Sequence, residues 1–109
     1  MPEFTEERRT ATRHPMVLAA QVLEMPRGTD LTGRTSDISR TGCYIDTLHP
    51  NPVGTKVLLR ITHFDEVFEA AGPVIYTSPC LGMGVAFSEM VPEQAAKLER
   101  WLADPEAKP

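Results

Sequence analysis

The chain has 109 residues, of which 41% are hydrophobic and 24% are charged. This length suits one domain with a modest core, and the composition excludes a disordered chain. The formal net charge of −4 argues against a general nucleic-acid-binding protein, and the longest apolar run, Met16 to Ala20, is far too short to span a membrane.

Residues 1–14 are polar and are predicted to form a flexible N-terminal arm. The acidic start of the arm lacks the basic and apolar regions of a signal peptide, so we expect a cytoplasmic protein without membrane insertion. Arg8, Arg9 and Arg13 lie in this arm. Arg9 and Arg13 would share a face of a helical turn, or could converge on one ligand from an irregular loop. The alternative is a solvated charged segment that neighbouring glutamates partly neutralise.

Residues 15–104 are predicted to form the folded domain, and residues 105–109 a tail. Gly72-Pro73 indicates a bulge or bend inside the fifth strand. In the sixth strand, Gly82, Gly84 and Ala86 leave one face nearly bare, so that other backbone or a flat ligand could lie close. The six predicted strands are 16–25, 31–36, 43–48, 56–62, 67–77 and 82–87.

The last element has a helical rather than a strand period. Val91, Ala95, Leu98 and Leu102 recur at the spacing of one helix face, and Pro92 suits the first turn. About six strands separated by turn residues and followed by one helix predict an all-β fold, either a small closed antiparallel barrel or a tight sandwich.

The stretch Asp37-Ile-Ser-Arg-Thr-Gly42 carries the strongest functional signal. Asp37 and Ser39 lie two apart and share a face on extended backbone. Gly42 suggests a positive φ angle or a close approach that leaves no room for a Cβ atom. The three residues would form a polar clamp for a ligand that offers hydrogen-bond donors. The alternative is that Asp37 and Ser39 are turn residues that bond their own backbone.

Charge is distributed unevenly along the chain. Between Arg8 and Arg40 there are six arginines and three acidic residues, whereas the rest holds five basic and twelve acidic residues. A local positive site on an acidic body suits a small anion better than a polymer. Arginine in particular suits bidentate recognition and stacking on flat rings.

Other chemistries find little support in the sequence. His14, His49 and His63 have no metal-ligand spacing with one another or with Cys43 and Cys80, so we expect no metal site and no cofactor. Cys43 in an apolar strand predicts a buried thiol. The sequence contains no legible nucleophile–base pair or paired carboxylates, and we therefore expect no catalytic residues and no enzyme.

Two motifs of the chain resemble those of a known family. Arg9-Thr-Ala-Thr-Arg13 resembles the RxxxR motif of PilZ domains, and Asp37-Ile-Ser-Arg-Thr-Gly42 resembles their (D/N)xSxxG motif about two dozen residues downstream. Gly54 before a strand and Gly84-Val-Ala-Phe87 before the final helix also fit. The resemblance covers roughly residues 6–102.

The resemblance implies a six-stranded antiparallel β-barrel with a C-terminal α-helix, a bacterial source, and a receptor for the second messenger cyclic di-GMP. Arg8, Arg9 and Arg13 are then candidates for contacts to guanine and phosphate. Asp37 would accept hydrogen bonds from guanine, Ser39 would supply a hydroxyl, and Gly42 would keep the backbone clear. The arm would fold over the barrel on binding, and the changed surface would meet a downstream protein partner.

Two rival functions stay open. The domain could be a ligand-independent PilZ-type interaction module in motility or secretion. It could also be a small barrel that binds single-stranded nucleic acid. A pI near 5.3 and the lack of an obvious row of stacking aromatics argue against the second.

Overall fold

The computed structural model describes residues 12–25, 28 and 30–105. These residues form seven strands and one helix, so most of the regular structure is strand. The elements are β1 (His14–Pro15), β2 (Ala19–Glu24), β3 (Asp30–Ile38), β4 (Gly42–Asp46), β5 (Lys56–His63), β6 (Glu66–Ser78), β7 (Gly82–Ala86) and α1 (Pro92–Ala103).

Strands β2 to β7 form one closed antiparallel barrel. Around the barrel the order is β3, β2, β5, β6, β7 and β4, and β4 pairs with β3 to complete the ring. The short strand β1 pairs with the end of β3, with His14 opposite Ile38 and Pro15 opposite Asp37. The predicted six-stranded antiparallel barrel with a C-terminal helix is therefore confirmed, with β1 as one extra strand among the described residues.

Strand β5 illustrates how the sequence builds the core. Val57, Leu59 and Ile61 are fully buried, whereas Lys56 and Arg60 on the same strand are exposed. Because successive side chains of a strand point to opposite faces, this alternation turns one face of β5 into the barrel interior and the other towards water.

The first predicted strand, 16–25, is shorter in the structure, where β2 spans Ala19–Glu24. The buried hydroxyl of Thr35 donates a hydrogen bond to the carbonyl oxygen of Met16 at 2.6 Å and accepts one from the N–H of Leu18 at 3.0 Å. The Thr35 side chain thus bonds backbone groups ahead of the β2–β3 ladder, and β2 begins only at Ala19. A buried hydroxyl needs such partners, which an apolar pattern does not reveal.

Strand β6 changes its neighbour along its length. Residues 66–73 pair with β5, and residues 74–78 pair with β7, with a register shift between Val74 and Tyr76. The sequence predicted a bulge or bend at Gly72-Pro73, and the observed irregularity lies directly after these two residues. Gly72 is required for a different reason, because a Cβ atom there would lie 1.8 Å from the carbonyl oxygen of Ala86.

Helix α1 is fastened to β6 by side chains. The Trp101 indole N–H donates to the Glu66 carboxylate at 2.8 Å, and the Lys97 ammonium donates to the carbonyl oxygen of Val67 at 2.6 Å. Trp101 is buried with its ring centroid 6.0 Å from that of Phe68 in the core. Val91, which the helical pattern assigned to the apolar face, is instead the N-cap residue and is 56% exposed.

Candidate functional site

Arg13 and Asp37, one from each sequence motif, are in direct contact. The Arg13 Nη2 atom donates to both carboxylate oxygens of Asp37 at 3.0 and 3.1 Å, and its Nε atom donates to Oδ1 at 3.1 Å. The pairing of β1 with β3 sets Pro15 opposite Asp37, and this brings the preceding arginine to the carboxylate. The two motifs thus meet on one outer edge of the barrel.

Tyr76 belongs to the same cluster. The neighbouring Tyr76 side chain, and then the bonds to Asp37, raise the pKa of Arg13 above its usual value. The arginine is consequently a permanent cation that presents a fork of donors, and about half of its side chain is exposed. Arg13 can therefore reach an acceptor that arrives from solvent.

A row of cross-strand neighbours joins Asp37 to Tyr76. Asp37 pairs with Tyr44 across β3 and β4, Tyr44 pairs with Gly84 across β4 and β7, and Gly84 pairs with Tyr76 across β7 and β6. The ring centroids of Tyr44 and Tyr76 lie 6.0 Å apart. Sequence reasoning missed both tyrosines because their positions along the chain do not show that β7 brings them together.

The Ser39 side chain has a structural role in the loop between β3 and β4. Its side chain is buried, and its hydroxyl accepts from the Thr41 N–H at 3.2 Å and donates to the Gly42 carbonyl oxygen at 3.3 Å. These bonds match the turn-residue alternative considered from the sequence. The predicted contact between Ser39 and a ligand stays a prediction.

Gly42 is explained by a close approach and not by a positive φ angle. A Cβ atom at this position would lie 2.4 Å from the carbonyl oxygen of Val85 on β7. The glycine therefore lets β4 and β7 pair at the end of the loop, with Gly42 opposite Ala86. The loop that follows Asp37 owes its shape to Ser39 and Gly42 together.

A cleft of about 330 Å³ borders the described end of the arm, residues 12–14. Thr12, His14 and Arg40 line one wall, and residues of α1 line the other: Glu99, Leu102 and Ala103. Thr12 and His14 face the cleft while Arg13, between them, reaches Asp37. Residues 12–14 thus contribute both to the ion pair with Asp37 and to the cleft at the C-terminal end of α1.

Arg8 and Arg9 lie outside the described residues, as does most of the predicted arm, 1–11. The described end of the arm, Thr12 to His14, lies against β3 and the cleft. Cys43 is buried as expected, and burial raises the pKa of its thiol, which therefore stays protonated.

The described ranges 12–25, 28 and 30–105 contain no group of three or more histidine, cysteine, aspartate or glutamate residues arranged to hold a metal ion. In the same ranges, no helix has the length and apolar character that a membrane crossing requires.

A comparison with protein-family models matches residues 7–104 to the PilZ domain. The match spans both motifs and every strand and helix described above. A search of curated proteins by sequence finds no match.

Three solved structures share the fold. The PilZ domain of CeSA from a cellulose-synthesizing bacterium aligns with a TM-score of 0.71 at 19% identity, over 88% of this chain and 99% of that one. The PilZ domain of YcgR from Escherichia coli, with c-di-GMP, aligns with a TM-score of 0.68 at 16% identity, over 85% and 87%. The Bacillus subtilis inhibitor of motility MotI/DgrA aligns with a TM-score of 0.67 at 19% identity, over 89% of this chain and 52% of that one.

Proposed function

The chain belongs to the PilZ domain family, and on this premise we propose that it is a cyclic di-GMP receptor that relays the signal to a partner protein. One observation carries the proposal: the Arg13 guanidinium and the Asp37 carboxylate, which come from separate motifs, are bonded to each other on the barrel surface. PilZ domains are ligand-binding and adaptor modules, and we propose no enzymatic activity, no metal and no resident cofactor.

The chemistry of this pair complements guanine. Guanine has two acceptors, O6 and N7, on one edge, and an arginine fork binds them bidentately. The Watson–Crick edge of guanine carries N–H donors, and a carboxylate accepts from them. Arg13 and Asp37 bond each other, so a guanine that enters between them exchanges one ion pair for two charge-assisted contacts. A phosphate group, which has only acceptor oxygens, would contact Arg13 alone.

The other proposed site residues would assist Arg13 and Asp37 in two ways. Arg8 and Arg9 would add cationic donors to the two phosphates of the ligand or to its second base. Ser39 and Gly42 would hold the Asp37 loop in the shape that presents its carboxylate, as their hydrogen bonds and close packing suggest. A hydroxyl contact from Ser39 to the ligand would require those loop bonds to rearrange.

Residues 12–14 would transmit the binding of the ligand to the surface that a partner protein contacts. A ligand that draws Arg13 towards itself also moves Thr12 and His14, and these residues border the cleft against α1. Ordering of residues 1–11 over the ligand would cost free energy that charge-assisted hydrogen bonds offset. The rearranged arm and helix end would form the surface that a downstream protein reads.

Titration calorimetry on the purified chain tests the proposal. We expect cyclic di-GMP to bind with a micromolar or lower dissociation constant. Cyclic di-AMP is the matched control, because adenine lacks O6 and the N1–H donor, and it should bind at least tenfold more weakly. Equal binding of the two ligands would contradict guanine recognition. A complete lack of binding by cyclic di-GMP would favour the ligand-independent interaction module.

A further inference from the structure

Two tyrosine rings cover the glycine face of β7. A Cβ atom on Gly82 would lie 2.5 Å from Cε1 of Tyr44, and one on Gly84 would lie 2.3 Å from Cε1 of Tyr76. The bare face that the sequence indicated is therefore occupied by the chain's own aromatic side chains. Each ring rests on strand backbone, and neither tyrosine is buried.

The position of Tyr44 beside Asp37 gives its ring a functional setting. Asp37 has β1 on one side, through Pro15, and Tyr44 on the other. A flat base whose N–H edge is held by the Asp37 carboxylate must extend away from β1 if it lies on the barrel. It then lies over Tyr44.

The two rings together make a wider surface than either alone. Their planes are inclined by 37° with centroids 6.0 Å apart, so they lie side by side and not stacked on each other. Arg13 borders this surface because it bonds Asp37, the cross-strand neighbour of Tyr44. Aromatic faces next to a carboxylate and a guanidinium form a typical setting for a purine base, since stacking and edge recognition then act on the same ring.

We propose that Tyr44 is a nucleobase-stacking residue and that the base held by Asp37 rests on the platform formed by Tyr44 and Tyr76. This inference rests on the proposed function and deepens it, because it names a contact that neither motif contains. Tyr44 also packs on Gly82, and its ring therefore has little freedom to lose when a base arrives.

Substitutions at Tyr44 separate stacking from mere surface packing. Tyr44→Ala should weaken cyclic di-GMP binding by about five- to 150-fold, the range that base–aromatic stacking supports. Tyr44→Phe retains the ring and should bind within about threefold of the unchanged protein, provided that stacking and not the hydroxyl carries the contact. Alanine affinity equal to that of the unchanged protein would overturn the inference.

A tryptophan at this position reports the contact directly. In Tyr44→Trp, a guanine that stacks on the indole should quench its fluorescence in a saturable manner. The quenching is measured as the difference from the unchanged protein, whose single tryptophan is Trp101. Val53→Trp, on an exposed loop position after β4, is the control and should show no such quenching. Saturable binding without quenching at position 44 would overturn the stacking role alone, whereas absence of binding by the unchanged protein would overturn the proposed function.

Discussion

The Arg13 guanidinium bonds both carboxylate oxygens of Asp37, although the two residues lie 24 positions apart in the chain. Arg13 directly precedes β1, whose two residues pair with the end of β3. The pair thus brings one residue of each sequence motif into contact.

Arg13→Ala should weaken cyclic di-GMP binding. Loss of one bidentate contact costs about 1–3 kcal/mol, or roughly five- to 150-fold in the dissociation constant. Arg60→Ala is a matched control, because Arg60 also forms a surface ion pair, with Glu69 at 2.8 Å on β5 and β6. Calorimetry should give unchanged affinity for the control; an equal loss in both variants would mean that the effect is general electrostatics.

Asp37→Asn should affect binding more than stability. The Arg13–Asp37 pair is partly exposed, with 52% and 28% of the two side chains accessible, and such pairs contribute at most about 1 kcal/mol to folding. The amide group retains one acceptor oxygen but adds donors that face the N–H groups of guanine. We expect thermal unfolding close to that of the unchanged protein and a clear loss of affinity. Unfolding at a much lower temperature would reassign Asp37 to a structural role.

Ser39→Ala should act through the loop. The substitution leaves the Thr41 N–H without its acceptor at 3.2 Å and removes the donor to the Gly42 carbonyl oxygen. A typical loss of about 0.5–1.5 kcal/mol in the free energy of unfolding is expected. Denaturant unfolding measures this loss. If stability is unchanged while binding falls, Ser39 contacts the ligand directly, as the sequence first predicted.

Glu66 should make stability depend on acidity. Hydrogen bonds from Arg100 and then from Trp101 lower the pKa of the Glu66 carboxyl below its usual value. A lowered folded-state pKa contributes stability above the unfolded-state pKa, and this contribution is lost as the pH falls through the folded-state pKa.

Glu66→Gln therefore should be less stable than the unchanged protein at pH 7, and the difference should shrink as the pH falls below about 4.5. Arg100→Gln removes the first cause of the shift and should reduce the same acid-dependent loss. Unfolding midpoints measured between pH 7 and pH 3 test the pair of variants. Parallel pH profiles for Glu66→Gln and the unchanged protein would contradict the assignment.

The strands and the helix could be predicted from the sequence because their hydrophobic patterns involve residues close together in the chain. The alternation in β5 and the helical period around Leu98 each determine one buried face, and the turn residues separate the elements. The role of Thr35 could not be predicted, because its hydroxyl bonds Met16 and Leu18, which are distant in sequence. These bonds explain why β2 begins at Ala19 and not at Met16, as the pattern predicted.

The site was accessible to the extent that motifs name residue types. The motifs predicted Arg13 and Asp37 as site residues, and the structure brings these two residues into contact. Tyr44 and Tyr76 were missed because they become neighbours only when β4 and β6 both pair with β7. The glycines of β7 gave the one available signal, since a bare strand face implies that something flat lies on it.

Amide spectra of the isotopically labelled chain, recorded during titration with cyclic di-GMP, test the central claim most directly. If the ligand binds where the two motifs meet, the largest changes should fall on residues 8–14 and 37–42, with smaller changes on Tyr44 and Tyr76. Loop residues 47–55, which follow β4, should remain unchanged. Saturable binding that leaves both motif segments unperturbed would contradict the account.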